Sequence, residues 1–473
     1  MAGRGSPDYD WRPDLASRRK DDEADVQAED EASPTMSPVQ GGRFGRFASL
    51  TGAGLGISTA VLGRRLLSAV TFASKDKREA ALSRTLTKEG HQLAELLGRM
   101  KGASMKLGQM LSADPDLVPP ELSNALATLQ TESPPMPWAT VRSILERAWG
   151  MPIASVLASI DETPRGSASI GQVHRATLSD GQVVAIKVQY PGVEAALGND
   201  LKNLRSLMTL SRVVFDKRRV EGWLGEVEEQ LLAEVDYVAE AANLTGFGRV
   251  FEAFPDFVVP RPIDLLTRRN VLVMTWLDGD KLDRAALARP LEERRMIAER
   301  MARTWIELFF RHRWLHGDPH PGNFLLLPDG RIGVLDFGAT KRLPEALTDG
   351  VMELFAHLWA DDARAALKLM GELGFGDREA AGKVDPALLG EYLRLVLAPL
   401  LAEGAFDYGA WRPHAAIKRM TIRHPSLWKL APPKDLLPVL RVASGLKGLF
   451  GKLGVALDLR EILQETRALM RRV

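Results

Sequence analysis

HGDPHPGNFLLL (316–327), followed by VLDFG (334–338), is the stretch on which the reading of this chain turns. Asp318 and Asn323 stand five residues apart, and Asp336 follows Asp318 by eighteen, after the turn signal Pro328-Asp329-Gly330. The apolar runs flanking that turn, 323–327 and 331–335, predict two short strands of a hairpin. Two carboxylates and an amide at this spacing suit phosphoryl transfer. That chemistry needs one carboxylate to accept the nucleophile's proton, and hard oxygen ligands for a Mg²⁺ that bridges phosphates. Asp318 fits the base, Asn323 and Asp336 fit the cation ligands, and Gly338 lets the backbone turn sharply afterwards. Zinc is the alternative: His312, His316 and His320 recur at i, i+4 and i+8, so one helix face would present all three. Pro319 and Pro321 oppose it, since a helix would break there. His316 reads more simply as structural, holding the loop around Asp318.

Working towards the N-terminus, VVAIKVQ (183–189) sets Lys187 among apolar, β-branched neighbours. A lone strand lysine usually points to solvent. On a buried strand it needs an anion, because an unpaired buried charge is costly; a carboxylate and a nucleotide phosphate are the two candidates. EVEEQLLAEVDYVAEAANL (226–244), inside a helix predicted over about 221–249, supplies carboxylates. Leu231, Val235, Val238 and Ala242 form its apolar stripe, flanked by Glu234, Asp236 and Glu240. An acidic solvated face is the bland reading, but Asp236 and Glu240 at i,i+4 repel one another unless a cation lies near. Residues 172–178 and 182–188 read as strands about the turn Ser179-Asp180-Gly181, and 258–279 as two more with a turn at Thr267–Asn270. Helices are predicted over 138–149 and 193–213, and for most of the chain beyond 279. A strand-rich lobe followed by a helical one suits a nucleotide cleft between them.

The chain has 473 residues, 45% of them hydrophobic, a formal net charge of +1 and no cysteine. Disulfides and thiolate metal sites are excluded, and nothing in the charge balance calls for nucleic acid. Residues 1–40 are polar, with acids at Asp21, Asp22, Glu23 and Asp25 and no apolar core of a secretory signal. They are expected to be disordered. TGAGLG (51–56) lacks the GxGxxG spacing of a phosphate loop and follows no strand. Leu93, Leu97, Met100, Leu107 and Leu111 recur at helical spacing over 87–112, and the prolines at 115, 119 and 120 stop that helix. A short helix (121–130) and the stiff linker SPPMPW (133–138) follow. No transmembrane helix is expected: 50–73 is interrupted by Arg64 and Arg65, and 436–459 by Pro438, Arg441, Lys447 and Lys452. Segments 43–70 and 436–459 could lie on a bilayer as amphipathic helices, or pack on the core.

Lys187, an acidic helix, HGDxHxxN and DFG together resemble the protein-kinase-like superfamily. KLGQ (Lys106 to Gln109), SASIGQVHRA (167–176), VAIKVQYPGV (184–193), EVDYVAEAAN (234–243) and HGDPHPGN (316–323) are similar to the motifs of the ABC1/AarF/UbiB/ADCK atypical kinases, in order, over about 100–340. The resemblance implies an α+β, bilobal protein-kinase-like fold. Residues 1–45 would be a disordered tail, 46–150 a helical extension carrying the KxGQ motif, 151–279 the N-lobe and 280–473 the helical C-lobe.

It also assigns roles. Gly166 to Gly171 would be the family's Ala-rich loop, with fewer alanines than usual, cradling phosphate through backbone N–H groups. Ala168, Ser169, Gly171, Val173, Ala185, Lys187, Met274 and Leu277 would contact the nucleotide. Met274 to Leu277 would be the hinge, and Val184 would join Ala185 and Met274 around the base. Glu240 would pair with Lys187. Glu234 and Asp236 would be the ExD pair, and Lys106 and Gln109 would lie on a helix over the cleft, where a peptide substrate would otherwise bind. Asp318 would be the base, and Asn323 and Asp336 the Mg²⁺ ligands.

His320 stands where Ser/Thr kinases have lysine, as in aminoglycoside and choline kinases, so a small or lipid-like acceptor, or ATP hydrolysis, is expected. The implied function is an atypical kinase or ATPase using Mg²⁺ with ATP or ADP, in support of isoprenoid-quinone (ubiquinone) biosynthesis or membrane-lipid homeostasis. A non-catalytic, nucleotide-gated scaffold for lipid enzymes is the alternative, and a protein kinase is disfavoured. Expected partners are the nucleotide, a lipid surface and quinone or lipid enzymes, but no nucleic acid. The expected location is the cytoplasm, with peripheral contact at the inner face of the cell membrane.

Overall fold

The computed structural model describes residues 135–471, except 169, 211–224, 226–227, 230, 377–383, 412, 425, 428–429 and 431. Lys106, Gln109 and Ser169 therefore lie outside the described residues, as do the tail and most of the N-terminal extension.

Strands β1 (Leu157–Ile160), β2 (Gly166–Ala168), β3 (Gly171–Leu178) and β4 (Val183–Gln189) open the first lobe. The β3–β4 turn falls on Ser179-Asp180-Gly181, where Gly181 takes the left-handed φ of 89° that glycine tolerates. β5 (Phe257–Val258) and β6 (Val271–Thr275) come next, and β6 completes the antiparallel order β1-β3-β4-β6, with β2 paired to β3. Directly opposed residues share a face: Val173, Lys187 and Leu272 form one row, and Ala185 and Met274 the next. Strand alternation sends Val184, Ile186 and Val188 the other way, against Val141, Ile144 and Leu145 of helix Trp138–Trp149. Val184 thus backs the sheet rather than lining a base pocket, which corrects the expectation from the sequence.

Two further expectations change. Helix 221–249 is not continuous. The chain leaves the helical path at Val235–Asp236, and Asp236 caps a new helix, Tyr237–Phe251, by accepting the Val238 and Ala239 N–H groups at 3.0 Å each. The cap resets the phase, so Tyr237, Glu240, Ala241, Leu244, Phe247 and Phe251 face inward, while Val238 is 53% exposed. The expected strand pair over 258–279 also divides. Pro260 and Pro262 offer no N–H to a ladder, so beyond Val258 the first half forms no strand and pairs with β6 through an isolated bridge, Pro262–Met274. The two residues of β5 pair instead with the other lobe.

That second lobe holds β7 (Asp280–Lys281), β8 (Trp314–His316), β9 (Phe324–Leu326), β10 (Ile332–Val334) and β11 (Thr340–Arg342). The predicted hairpin is β9–β10, closed at Gly330 with φ 83°. Its sheet runs β5-β10-β9-β7, and β8 pairs with β11 beside it. The central helix Leu291–Phe310 buries Ile297, Ala298, Met301, Ala302, Trp305 and Leu308. Helices Leu437–Leu453 and Leu459–Met470 pack on it, so Val442, Leu446, Leu449, Phe450 and Leu453 face the core rather than a bilayer. Among the described residues no helix is long and apolar enough to cross a membrane.

Candidate active site

Lys187 projects from β4 into the cleft and is only 6% exposed. Its Nζ donates to both oxygens of Glu240 at 2.9 Å, lies 3.7 Å from Asp336 Oδ2, and stands 5.0 Å above the Tyr237 ring. Burial works against the ammonium, but Glu240 and then Asp336 outweigh it and hold the Lys187 pKa well above its ordinary value. Burial pushes the Glu240 carboxyl upward, with the same ammonium opposing it. Asp336 is thus joined to the Lys187–Glu240 pair without any local sequence relation between them.

The loop after β8 is fixed through the backbone. His316 is fully buried, and its Nε2–H donates to the Asp336 carbonyl at 2.6 Å. Asn323 donates Nδ2–H to the Asp318 carbonyl at 3.1 Å, and its own carbonyl accepts the Leu335 N–H at 2.9 Å. Asp336 Oδ1 accepts the Gly338 N–H at 2.9 Å, which forms the sharp turn expected there. Asp318 and Asn323 are therefore tied through the Asp318 carbonyl, and Asn323 to the residue before Asp336 through the Leu335 N–H, and all three residues are partly exposed. The hard oxygens of Asn323 and Asp336 suit Mg²⁺, not a thiophilic metal. The three imidazoles proposed for zinc go to separate partners: His316 to Asp336, His320 to the Gly322 N–H at 3.1 Å, and His312 to the Phe254 ring.

Ala168, Gly171, Val173, Ala185 and Met274 lie on β2, β3, β4 and β6, and register places the last three on the face that carries Lys187. Gly171 has a steric reason of its own, because a methyl there would stand 2.2 Å from the Val188 carbonyl oxygen. Leu277 marks the crossing between lobes: a methyl on Gly333 of β10 would lie 3.1 Å from its Cδ1. Glu234 is buried 3.8 Å from where a Gly338 methyl would stand, so it abuts the turn after Asp336, whereas the Asp236 carboxylate serves as a cap.

Sequence reasoning overlooked two contacts. Asn243 Nδ2–H donates to the Phe337 carbonyl at 3.0 Å, linking the Glu240 helix to the DFG turn; its position three residues after Glu240 was the available signal. A buried relay also runs from the Met136 N–H to Gln172 Oε1 (2.6 Å), from Gln172 Nε2 to His174 Nε2 (2.8 Å), and from His174 Nδ1–H to the Asp161 carbonyl (2.7 Å).

Burial lowers the pKa of both His174 and His316 below 6.5, in each case against an opposing bond to a backbone carbonyl. Both imidazoles fold neutral. The unfolded chain binds more protons between those folded values and 6.5, so stability rises with pH through that window and is lost as pH falls through it. His174→Gln should therefore lose less stability than wild type as pH falls from about 7.5 to about 5.5, read as urea midpoints. The same pH dependence in both proteins would contradict this.

A family model for the ABC1 atypical kinase-like domain matches residues 128–370. An uncharacterised protein of Synechocystis sp. is 32% identical over 307 residues, covering 62% of this chain and 74% of that protein. The mitochondrial atypical kinase COQ8B of Danio rerio is 30% identical over 401 residues, which make up 83% of this chain and 63% of COQ8B, less than two thirds of its length. Among solved structures, the complex of Rv3197 with erythromycin from Mycobacterium tuberculosis superposes with a TM-score of 0.59 at 30% identity, over 83% of this chain and 98% of that one.

Proposed function

This chain belongs to the ABC1 atypical kinase-like family and has its kinase-like fold, and from that premise we propose that it binds a Mg²⁺-nucleotide between its lobes and transfers or hydrolyses the terminal phosphoryl group. The observation that supports this best is the buried Lys187–Glu240 pair directed at Asp336, whose backbone His316 ties to the Asp318 loop. A buried lysine paired with two carboxylates in a cleft between lobes marks a functional site, where a phosphate can share the ammonium and a metal the Asp336 carboxylate.

Asn323 and Asp336 would hold the Mg²⁺, which supplies charge neutralisation at the phosphates. Lys187 would meet a phosphate, with Glu240 fixing its position. Backbone N–H groups around 168–171 would cradle the remaining oxygens. Asp318 would take the proton from an attacking hydroxyl or water.

The finer proposal is a role in isoprenoid-quinone biosynthesis or membrane-lipid homeostasis. It leans on the similarity to COQ8B and on the resemblance of the HGDxHxxN pattern, with His320 in place of lysine, to that of small-molecule kinases. Helix Leu437–Leu453 spends its apolar face on the core, so peripheral membrane contact at the cytoplasmic face would fall to the 43–70 segment. Phosphate release from ATP and ADP by the purified protein, with Mg²⁺ or EDTA and with neutral or anionic vesicles, tests the proposal. Mg²⁺-dependent release, stimulated by anionic vesicles, is expected. Nucleotide binding without release under every condition would replace the enzyme with a nucleotide-gated scaffold.

A further inference from the structure

Gly317 sits between His316 and Asp318 and is buried. Its N–H donates to the Ala339 carbonyl at 2.7 Å. Its carbonyl accepts two bonds from one guanidinium, Arg441 Nη2 at 3.0 Å and Nε at 3.3 Å. Arg441 belongs to helix Leu437–Leu453, outside the stretch 128–370 that matches the family model. One turn further, the helix meets the same loop again: a methyl on Gly445 would stand 2.6 Å from Cγ of the buried Pro319. Residues four apart share a helix face, so this face touches the residues immediately before and after Asp318. Val442, Leu446, Leu449, Phe450 and Leu453 anchor the helix in the core, which keeps that face fixed. Arg441 also lines a small cavity with Gly338, Thr340 and Lys341, beside the turn that follows Asp336.

We propose that Arg441 is a positioning residue for Asp318, with Gly445 providing the close approach that seats it. This rests on the reading of Asp318 as the base. His316 holds the preceding residue to Asp336 and Asn323 holds the Asp318 carbonyl; Arg441 holds the peptide between them. A guanidinium presents its N–H groups in a rigid planar fork that one ammonium does not reproduce. Without it the Gly317 carbonyl is free to rotate, and with it the φ and ψ angles that aim the Asp318 carboxylate. A displacement of about 1 Å at a reacting group can cost on the order of 100-fold in rate.

The test uses the full chain and measures Mg²⁺-nucleotide hydrolysis, nucleotide Kd and melting temperature for wild type, Asp318→Asn, Arg441→Gln, Arg441→Lys, Gly445→Ala and the surface control Leu440→Gln. Arg441→Gln should lower kcat by about 10–100-fold, with KM, Kd and melting temperature close to wild type, because the nucleotide contacts lie on other elements. Arg441→Lys should recover only part of kcat. Gly445→Ala should lower kcat without removing any charge, by pushing Pro319. Leu440→Gln should match wild type. Wild-type kcat in both Arg441→Gln and Gly445→Ala would overturn the proposal, as would losses that only track a lower melting temperature. Equal rates for wild type and Asp318→Asn would show instead that the reading of Asp318 fails, and the role of Arg441 with it.

Discussion

Asp318→Asn should lower Mg²⁺-dependent turnover by about 10²–10⁴-fold, the usual worth of a positioned general base, while leaving nucleotide affinity and the melting point close to wild type. The substitution is nearly isosteric. The bonds from Asn323, Arg441 and His316 reach the main-chain carbonyls of Asp318, Gly317 and Asp336, and the substitution alters none of those. What it removes is an oxygen able to take a proton. Steady-state kcat compared with nucleotide Kd separates the two effects. A kcat within a few-fold of wild type would mean that Asp318 does not act as the base, and that transfer proceeds without one.

Lys187→Met should abolish detectable nucleotide binding and also destabilise the protein by about 3–5 kcal/mol, the typical cost of removing one partner from a buried ion pair. The reason is what remains. Glu240 is only 2% exposed, and Asp336 Oδ2 lies 3.7 Å from the ammonium that is lost. Two carboxylates would then be left close together without their shared cation. The double variant Lys187→Met/Glu240→Leu removes the stranded charge. It should regain most of the stability and none of the binding, because phosphate has lost its cation in both variants. Chemical denaturation of the single and double variants checks this. Equal losses that simply add would show that the pair is not coupled. Retained binding in the double variant would show that Lys187 does not meet the phosphate.

The parts legible in the sequence were those where polar groups interrupt apolar runs at fixed spacing. Asp318, Asn323 and Asp336 stand out for that reason, and the hairpin of β9 and β10 brings Asn323 and Asp336, at its two open ends, together as the turn residues predict. Lys187 was legible as a charge that needs an anion, and Glu240 supplies it. The face of Val184 was not legible, because every residue of VVAIKV except the lysine is apolar and a strand buried on both sides shows no alternation. The break at Val235–Asp236 was hidden by a pattern that reads as one helix; only the side-chain cap, a local competition for backbone N–H groups, resets its phase. The prolines at 260 and 262 carried the signal against a full strand, but not the fact that Phe257 and Val258 join the other lobe. Arg441 read as one of four residues breaking an apolar run. Its contact with Gly317 spans 124 residues of sequence, and no local spacing encodes it.

Titrating the full-length protein with ATP and with ADP, each in Mg²⁺ and in EDTA, bears most directly on whether this cleft is a Mg²⁺-nucleotide site. Saturable binding that tightens with Mg²⁺ and disappears in Lys187→Met is the expected result. No binding of either nucleotide under any condition, or equal binding by Lys187→Met, would contradict it.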